Sequence, residues 1–330
     1  MRPSPRSLLI PALSLAACPG PTPPGPDLSA PGIWAACEVV CPVTHPIPPG
    51  TFTLGTQGAT DPSQGSPTRT ITVHSFAVSA EITRAQFAHF VQEANYRPSA
   101  GCLVARPSIF PTPVTLSPTA SWLLPELPGP LQASEHPVTC VSWMDARAYA
   151  AWLSATSGAH YRLLSETEWE YLAHAGTTGP YYWPATTPSA YCDRANTYIG
   201  VPLARLPACL DTYPGTSPVG MLGLNPFQAS DMLGNVEEWL EDCYAPTYDL
   251  IPANGDPYEI PVARPGQPPR NCRERVVRGG SWKDPITAIG IQVRAHAAIG
   301  ERANFRGFRI ALACDDLNLC FDQGGTPWPR

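Results

Sequence analysis

The chain has 330 residues and a formal net charge of −6, with 42 prolines, 26 glycines and only 15% charged residues. The acidic balance argues against nucleic acid as a partner, since that role needs a basic face. An apolar content of 43% is enough to bury a core, so the chain reads as globular and loop-rich.

Residues 1–17 carry Arg2 and Arg6, an apolar run from Ser7 to Leu15, and then Ala16 and Ala17 before Cys18, the order of a signal peptide. The run is too short to span a bilayer. Two small residues directly before a cysteine resemble a bacterial lipobox, in which the thiol is acylated and becomes the first residue of the mature protein. The alternative is an ordinary secretory signal with Cys18 in a disulfide. Setting Cys18 aside turns eleven cysteines into an even ten, which favours the lipoprotein. Acyl chains on Cys18 are expected to hold the protein on a membrane, each buried methylene contributing ~0.8 kcal/mol. Residues 18–36 include Pro19-Gly20-Pro21-Thr22-Pro23-Pro24-Gly25-Pro26, a semi-rigid tether. Residues 37–330 are expected to form one domain. Pro19 stands where an aspartate would mark inner-membrane retention, so an outer membrane or cell surface is the expected address in a two-membrane bacterium. In an oxidising compartment the remaining cysteines pair; the candidates are Cys192 with Cys209, Cys102 with Cys140, and Cys243 with Cys272, the sequence leaving the connectivity open.

Two alternating segments, residues 50–55 and 69–76, predict an early pair of strands. A helix follows from Thr83, with Phe87, Phe90 and Val91 as its apolar stripe. The second helix runs over 142–157 on Trp143, Ala146, Tyr149, Ala150 and Leu153, closed by Gly158. Ser165-Glu166-Thr167-Glu168 is a capping box that opens the third, which buries Trp169, Leu172 and Ala173 and stops at Gly176. Beyond it, turns and short strands are interrupted by a short helical stretch around 234–240. Strands at 275–278 and 307–312 close the fold, and the Pro-rich segment 249–270 reads as a surface insertion.

Four blocks occur in order: Pro137-Val138-Thr139-Cys140-Val141-Ser142-Trp143; Tyr161-Arg162-Leu163-Leu164-Ser165-Glu166-Thr167-Glu168-Trp169-Glu170-Tyr171; Asp231-Met232-Leu233-Gly234-Asn235-Val236-Glu237-Glu238-Trp239; and Arg278-Gly279-Gly280-Ser281-Trp282 followed by Arg306-Gly307-Phe308-Arg309. Together they resemble the domain of formylglycine-generating enzymes, the sulfatase-modifying-factor domain, over residues 50–312. The resemblance implies an α+β fold related to the C-type lectin fold, loop-rich with few helices and short antiparallel strands, and bound calcium. Members of that family include oxidases of a substrate cysteine, iron-dependent sulfoxide synthases, a pyoverdine-maturation branch and proteins without established catalysis, so the fold leaves the function to the site.

In the oxidases two cysteines after the Gly-Gly-Ser segment bind copper as thiolates, a soft pair suited to Cu(I). The resemblance places Asp284 and Ile289 at those positions, and a carboxylate and an aliphatic side chain cannot form that site. The seven histidines, at 45, 74, 89, 136, 160, 174 and 296, show no ligand spacing for iron. Copper and iron are therefore not expected, and Ser281 lacks the elbow of a hydrolase nucleophile. Calcium is expected. The family's first position maps onto Asn196 and Asp211 with backbone oxygens of Thr197 and Tyr213, and its second onto Asp231 and Glu238 with backbone oxygens of Gly234 and Val236. The plainer reading of Asp231 and Glu238 is that they cap and solvate a short helix. Trp143, Trp169, Trp239 and Trp282 read as core aromatics, Arg278, Arg294 and Arg309 as partners of buried carboxylates, and Glu166 and Glu168 as capping and ion-pair residues.

Two functions follow. The first is an exported, calcium-stabilised binding or structural module without formylglycine-generating activity, meeting an envelope protein or ligand. The second is a metal-dependent oxidoreductase of the same superfamily. They separate on one question: whether Asp284, His296 and an arginine converge on a pocket, or Trp282 and Ile289 fill that space.

Overall fold

The computed structural model describes residues 42–56, 65–106, 112–129, 132–184, 191, 193–198, 213–260 and 272–313. Cys18, the tether, Cys192, Cys209 and Asp211 lie outside the described residues. The elements in chain order are β1 (Thr44–Ile47), β2 (Gly50–Leu54), β3 (Arg69–Val73), β4 (Phe76–Ser79), α1 (Arg84–Glu93), β5 (Cys102–Ala105), β6 (Val114–Ser117), α2 (Trp143–Ser157), β7 (Tyr161–Leu163), α3 (Glu166–His174), β8 (Glu237–Cys243), β9 (Glu274–Arg278), β10 (Arg294–Ala298), β11 (Arg306–Gly307) and β12 (Ile310–Ala313). This is the α+β, loop-rich architecture that the sequence predicts. None of the described helices is long and apolar enough to cross a membrane.

All three described α-helices open on a capping box. Thr83 Oγ1 accepts from the Gln86 amide at 3.2 Å and Gln86 Oε1 from the Thr83 amide at 2.8 Å. Ser142 pairs in the same way with Asp145, and Ser165 with Glu168. Each reciprocal pair satisfies two amides that the helix itself leaves open, and each cap stabilises its helix by ~1 kcal/mol. The predicted stripe of α2 is buried throughout. In α3 every residue is buried, not one face only, because strands cover it on several sides. Its left-handed C-cap is Ala175, at φ 44°, one residue before the expected Gly176.

Two four-stranded sheets run in the orders β1-β4-β12-β7 and β10-β9-β8-β11, beside the two-stranded pairs β2-β3 and β5-β6. The expected strand at 307–312 is divided: β11 pairs parallel with β8 in one sheet, and β12 sits antiparallel between β4 and β7 in the other. Phe308 lies between them and packs edge-on against Phe87 and Tyr149, which joins α1 and α2 to the core. Trp169, Trp239, Trp282 and Trp143 are all buried, as core aromatics.

The helical stretch expected at 234–240 is instead a turn followed by strand β8. Seven residues of sequence Glu-Glu-Trp-Leu-Glu-Asp-Cys, four of them acidic, are buried without exception. Such a composition reads locally as helix. It becomes a central strand because distant partners take each carboxylate: Arg306 holds Glu237, Arg309 holds Glu238, Arg147 holds Glu241, and the amides of Glu166 and Tyr258 hold Asp242.

The described part of the predicted surface insertion is mostly exposed or half-buried but touches the core at a few points. Ile251 is buried, Ala253 O accepts from the Thr72 amide at 2.9 Å, and Gly255 O accepts from Ser165 Oγ at 2.7 Å. The segment clamps the start of α3. Of the candidate disulfides, Cys102–Cys140 and Cys243–Cys272 are formed.

Candidate functional site

Strand β9 delivers the chain into Gly279 and Gly280, both at positive φ. At Gly280, φ 66°, a side chain would also collide with Ile289, so the position requires glycine. Ser281 then turns the chain onto Asp284. Its amide and its hydroxyl both donate to Asp284 Oδ2, at 3.1 and 2.9 Å, while Lys283 Nζ donates to Oδ1 at 2.6 Å. Burial raises the Asp284 carboxyl above its ordinary range and Glu237 adds to this, against the opposing pull of Lys283 and Ser281. Asp284 is thus spent on its own turn.

Ile289 is 4% exposed and joins the main core cluster; Trp282 is 2% exposed and packs with Ala105, Ala303 and Phe305. His296 is elsewhere, stacked on Tyr244 at 4.0 Å and 3.3 Å from Glu274. Among the described residues Asp284 and His296 have no partner in common, and Trp282 and Ile289 are buried in apolar clusters. The segment around β5 and β6 closes over this turn, with Thr112 Oγ1 donating to Lys283 O at 3.0 Å.

Around the residues mapped to calcium, the interior is polar and incompletely satisfied. Asn196 donates through Nδ2 to Gly215 O at 2.9 Å, yet its buried Oδ1 accepts from nothing among the described residues. Thr197 and Tyr213 are partly exposed beside it in sequence and across the loop. Asp231, at φ 54°, takes the Gly220 amide on Oδ2 at 2.7 Å and leaves Oδ1 buried, with no hydrogen-bond partner among the described residues. Burial pushes its carboxyl up to about 6. Gly234, at φ 84°, lies so close to Asn196 O that a side chain there would collide with it; the Asn235 amide donates to that same oxygen at 2.8 Å. Val236 is fully buried.

Glu238 departs from the expected pattern. Arg309 grips it at both oxygens, Nη2 to Oε1 at 2.6 Å and Nε to Oε2 at 2.7 Å, and Trp169 Nε1 adds a third bond at 2.9 Å. It lies in a strand, so the plainer reading of a helix cap fails. Sequence reasoning missed Glu81, which is buried with Oε1 unpartnered and Oε2 accepting from Asn235 Nδ2 at 2.8 Å. Burial, then Asp231 and Glu238, push its carboxyl well above the ordinary range. An acid flanked by Ala80 and Ile82 just before a helix cap is the one local sign of it. Glu81, Asp231 and Glu238 face a single guanidinium, Arg309. The open oxygens of Asn196 and Asp231 are hard donors of the type calcium takes, and a divalent cation beside them would favour the ionised form of these buried acids. The first mapped position thus keeps an open donor in Asn196 and the second in Asp231, and both fit calcium, with Glu238 of the second already shared with Arg309. A cavity of about 200 Å³ adjoins this region, lined among others by His45, Ser79, Gly220, Phe227, Ser230 and Arg309.

A second buried hub ties α3 to β9 and β10. Arg294 holds Glu166 through Nε at 2.6 Å and Nη2 at 2.8 Å, and Arg278 reaches both Glu166, at 3.1 Å, and Glu170. All four side chains are inaccessible to solvent. Glu168 closes its capping box and takes a bidentate contact from Arg162 at 2.6 and 2.7 Å. Arg278 and Arg294 thus pair with buried carboxylates, as Arg309 does with Glu238.

Comparison with known proteins agrees with this architecture. The family model described as "Sulfatase-modifying factor enzyme 1-like domain" matches residues 35–314. A formylglycine-generating enzyme of Mycobacterium tuberculosis is 32% identical over 235 residues, 62% of this chain and 76% of that protein. The inactive C-alpha-formylglycine-generating enzyme 2 of Mus musculus is 29% identical over 306 residues, 85% of this chain and 86% of that protein. The solved structure of PvdO from Pseudomonas aeruginosa superposes with a TM-score of 0.66 at 29% identity, covering 86% of this chain and 98% of that one. The ordered blocks, the fold and the family match together mean that this chain belongs to the sulfatase-modifying factor enzyme 1-like domain family.

Proposed function

We propose that this protein is an exported lipoprotein whose sulfatase-modifying-factor domain serves as a calcium-stabilised binding or structural module, without formylglycine-generating activity. One observation carries the reading. The two positions that hold the family's copper thiolates are Asp284, locked into the Ser281 turn, and Ile289, packed on Gly280. Neither supplies a soft ligand for Cu(I). The similarity to an inactive relative of the enzymes over 85% of the chain is in keeping with this.

The calcium part rests on the unpartnered oxygens of Asn196 and Asp231 and on three buried carboxyl groups around one arginine. The anchoring part rests on Ala16-Ala17-Cys18 and on the proline-rich residues behind it. A cation would brace the loops between α3 and β8, and the tether would present that loop-built face to an envelope protein or ligand.

Incubation of the purified protein with copper and a Cys-x-Pro-x-Arg peptide tests the absence of oxidase activity; no aldehyde is expected, and aldehyde formation overturns the reading. Metal analysis of the same preparation should find calcium, without stoichiometric copper or iron.

A further inference from the structure

Glu259 is oriented in a way that the disulfide beside it does not explain. Cys243 ends β8 and Cys272 stands two residues before β9, and both are buried. Glu259 Oε2 lies 3.3 Å from Cys243 Sγ and 3.6 Å from Cys272 Sγ. A disulfide has no hydrogen to donate, so a carboxylate oxygen directed at both sulfurs gains no hydrogen bond there. The other oxygen, Oε1, accepts from Arg275 Nη1 at 2.7 Å.

We propose that Cys243, Cys272 and Glu259 form a redox-gated site for a thiophilic divalent cation of the zinc class, closed as the disulfide and opened by reduction. Among the described residues this is the one group of three His, Cys, Asp or Glu side chains whose ligand atoms converge, all within 4.8 Å of one another. The geometry suits the ion. With Zn–S near 2.3 Å and Zn–O near 2.1 Å, a tetrahedral S···O edge is about 3.6 Å, and the two observed edges are 3.3 and 3.6 Å. On reduction the sulfurs must part to about 3.8 Å, which side-chain rotation on strand-anchored backbones can supply.

The charges also close. Two thiolates and one carboxylate carry three negative charges, which the cation and Arg275 offset. Bonds other than the disulfide hold the ligand segments together: the Cys243 amide donates to Tyr258 O at 2.8 Å, the Tyr258 amide to Asp242 Oδ1 at 2.8 Å, and Cys243 pairs across β8 and β9 with Arg275, close in sequence to Cys272. Glu259 is 46% exposed, so the fourth coordination position faces solvent and takes water or an external ligand. The reaction balances in two steps. A dithiol gives two electrons and two protons to the disulfide and becomes a disulfide itself; the cation then displaces both thiol protons.

The test titrates Co(II) into the full chain before and after reduction with a dithiol and removal of the excess. The S-to-Co(II) charge-transfer band reports thiolate ligation, and near-ultraviolet circular dichroism reports folding. Reduced protein should stay folded and show the band, and the Cys243→Ser/Cys272→Ser variant should bind one equivalent less. Glu259→Gln leaves both cysteines and the disulfide in place; it should weaken affinity at least tenfold, and zinc should displace the cobalt. Three outcomes overturn the proposal: loss of the fold on reduction, no loss of an equivalent in the double cysteine variant, or unchanged affinity in Glu259→Gln.

Discussion

Arg278 tests how this interior holds its charges. Its guanidinium bonds to Glu166, Glu170, Tyr248 and Ile291 O and lies over the Trp169 ring. Arg278→Met keeps most of the volume and removes the charge. Glu166 retains both bonds from Arg294. Glu170 is left with the Gly55 amide at 2.7 Å, the Tyr248 hydroxyl at 3.2 Å and His174 at 4.0 Å. A buried carboxylate that loses its cation costs about 3–5 kcal/mol. Glu170→Gln in the same chain removes the stranded charge, and a coupling of about 1–3 kcal/mol is expected between the two sites. Urea unfolding at neutral pH with the disulfides intact, followed by tryptophan fluorescence, measures all four corners of the cycle. A loss below about 1 kcal/mol for Arg278→Met, or strict additivity with Glu170→Gln, would refute the account of the hub as a mutually dependent charge network.

Chelation of calcium should lower the unfolding temperature. At a free calcium concentration of one hundred times Kd each bound ion contributes about 2.7 kcal/mol, and Asp231→Ala should remove the part of the response to added calcium that belongs to the second position. Gly280→Ala should destabilise the chain, and Ile289→Ala alone should cost about 2–5 kcal/mol through its cavity; combined, the two should cost less than their sum, because the smaller side chain at 289 makes room at 280. His174 is buried against Phe52, and its pKa is lowered from 6.5, first by desolvation. The unfolded chain therefore binds a proton more readily, so this contribution is full above 6.5 and is lost as pH falls from there toward the folded value. His174→Gln should flatten that part of the stability profile in acid. Cys18→Ala should abolish incorporation of labelled fatty acid; labelling that persists would place the lipid elsewhere or remove the anchor from the reading.

The helices were legible because their signals are local: Ser142, Ser165 and the apolar stripe of α2 lie within a few residues of one another. Strand β8 was not legible, because the reason it is a strand lies in Arg306, Arg309 and Arg147, far away in sequence. A run such as Glu237-Glu238-Trp239-Leu240-Glu241-Asp242 offers no alternation, and its burial is tolerable only once those partners arrive. The same distance hid Glu81. Its neighbours in sequence predict an ordinary residue before a cap, whereas Asn235, Asp231 and Arg309 reach it only in three dimensions. At the turn after β9 the family resemblance names two positions, and the structure adds what stands there: Asp284 closes the Ser281 turn and Ile289 packs on Gly280. The Pro-rich segment stays largely exposed or half-buried where it is described, and its contacts with the core run through backbone carbonyls at Ala253 and Gly255, which side-chain type does not reveal.

Strand β12 lies between β4 and β7, with β4 more than two hundred residues earlier in the chain. During synthesis, the first of the two larger sheets therefore has a gap at its centre until residue 313 has emerged from the ribosome. Arg309 arrives with the same segment, so Glu238 and Glu81 wait unneutralised until then. At about 5–20 residues per second, the interval between completion of β4 and arrival of β12 is on the order of ten to fifty seconds. A chain that folded as it emerged would for that time expose two unpaired strand edges and buried-type acids to solvent, edges of the kind that pair with other chains, so completion of the whole chain before folding is the safer order.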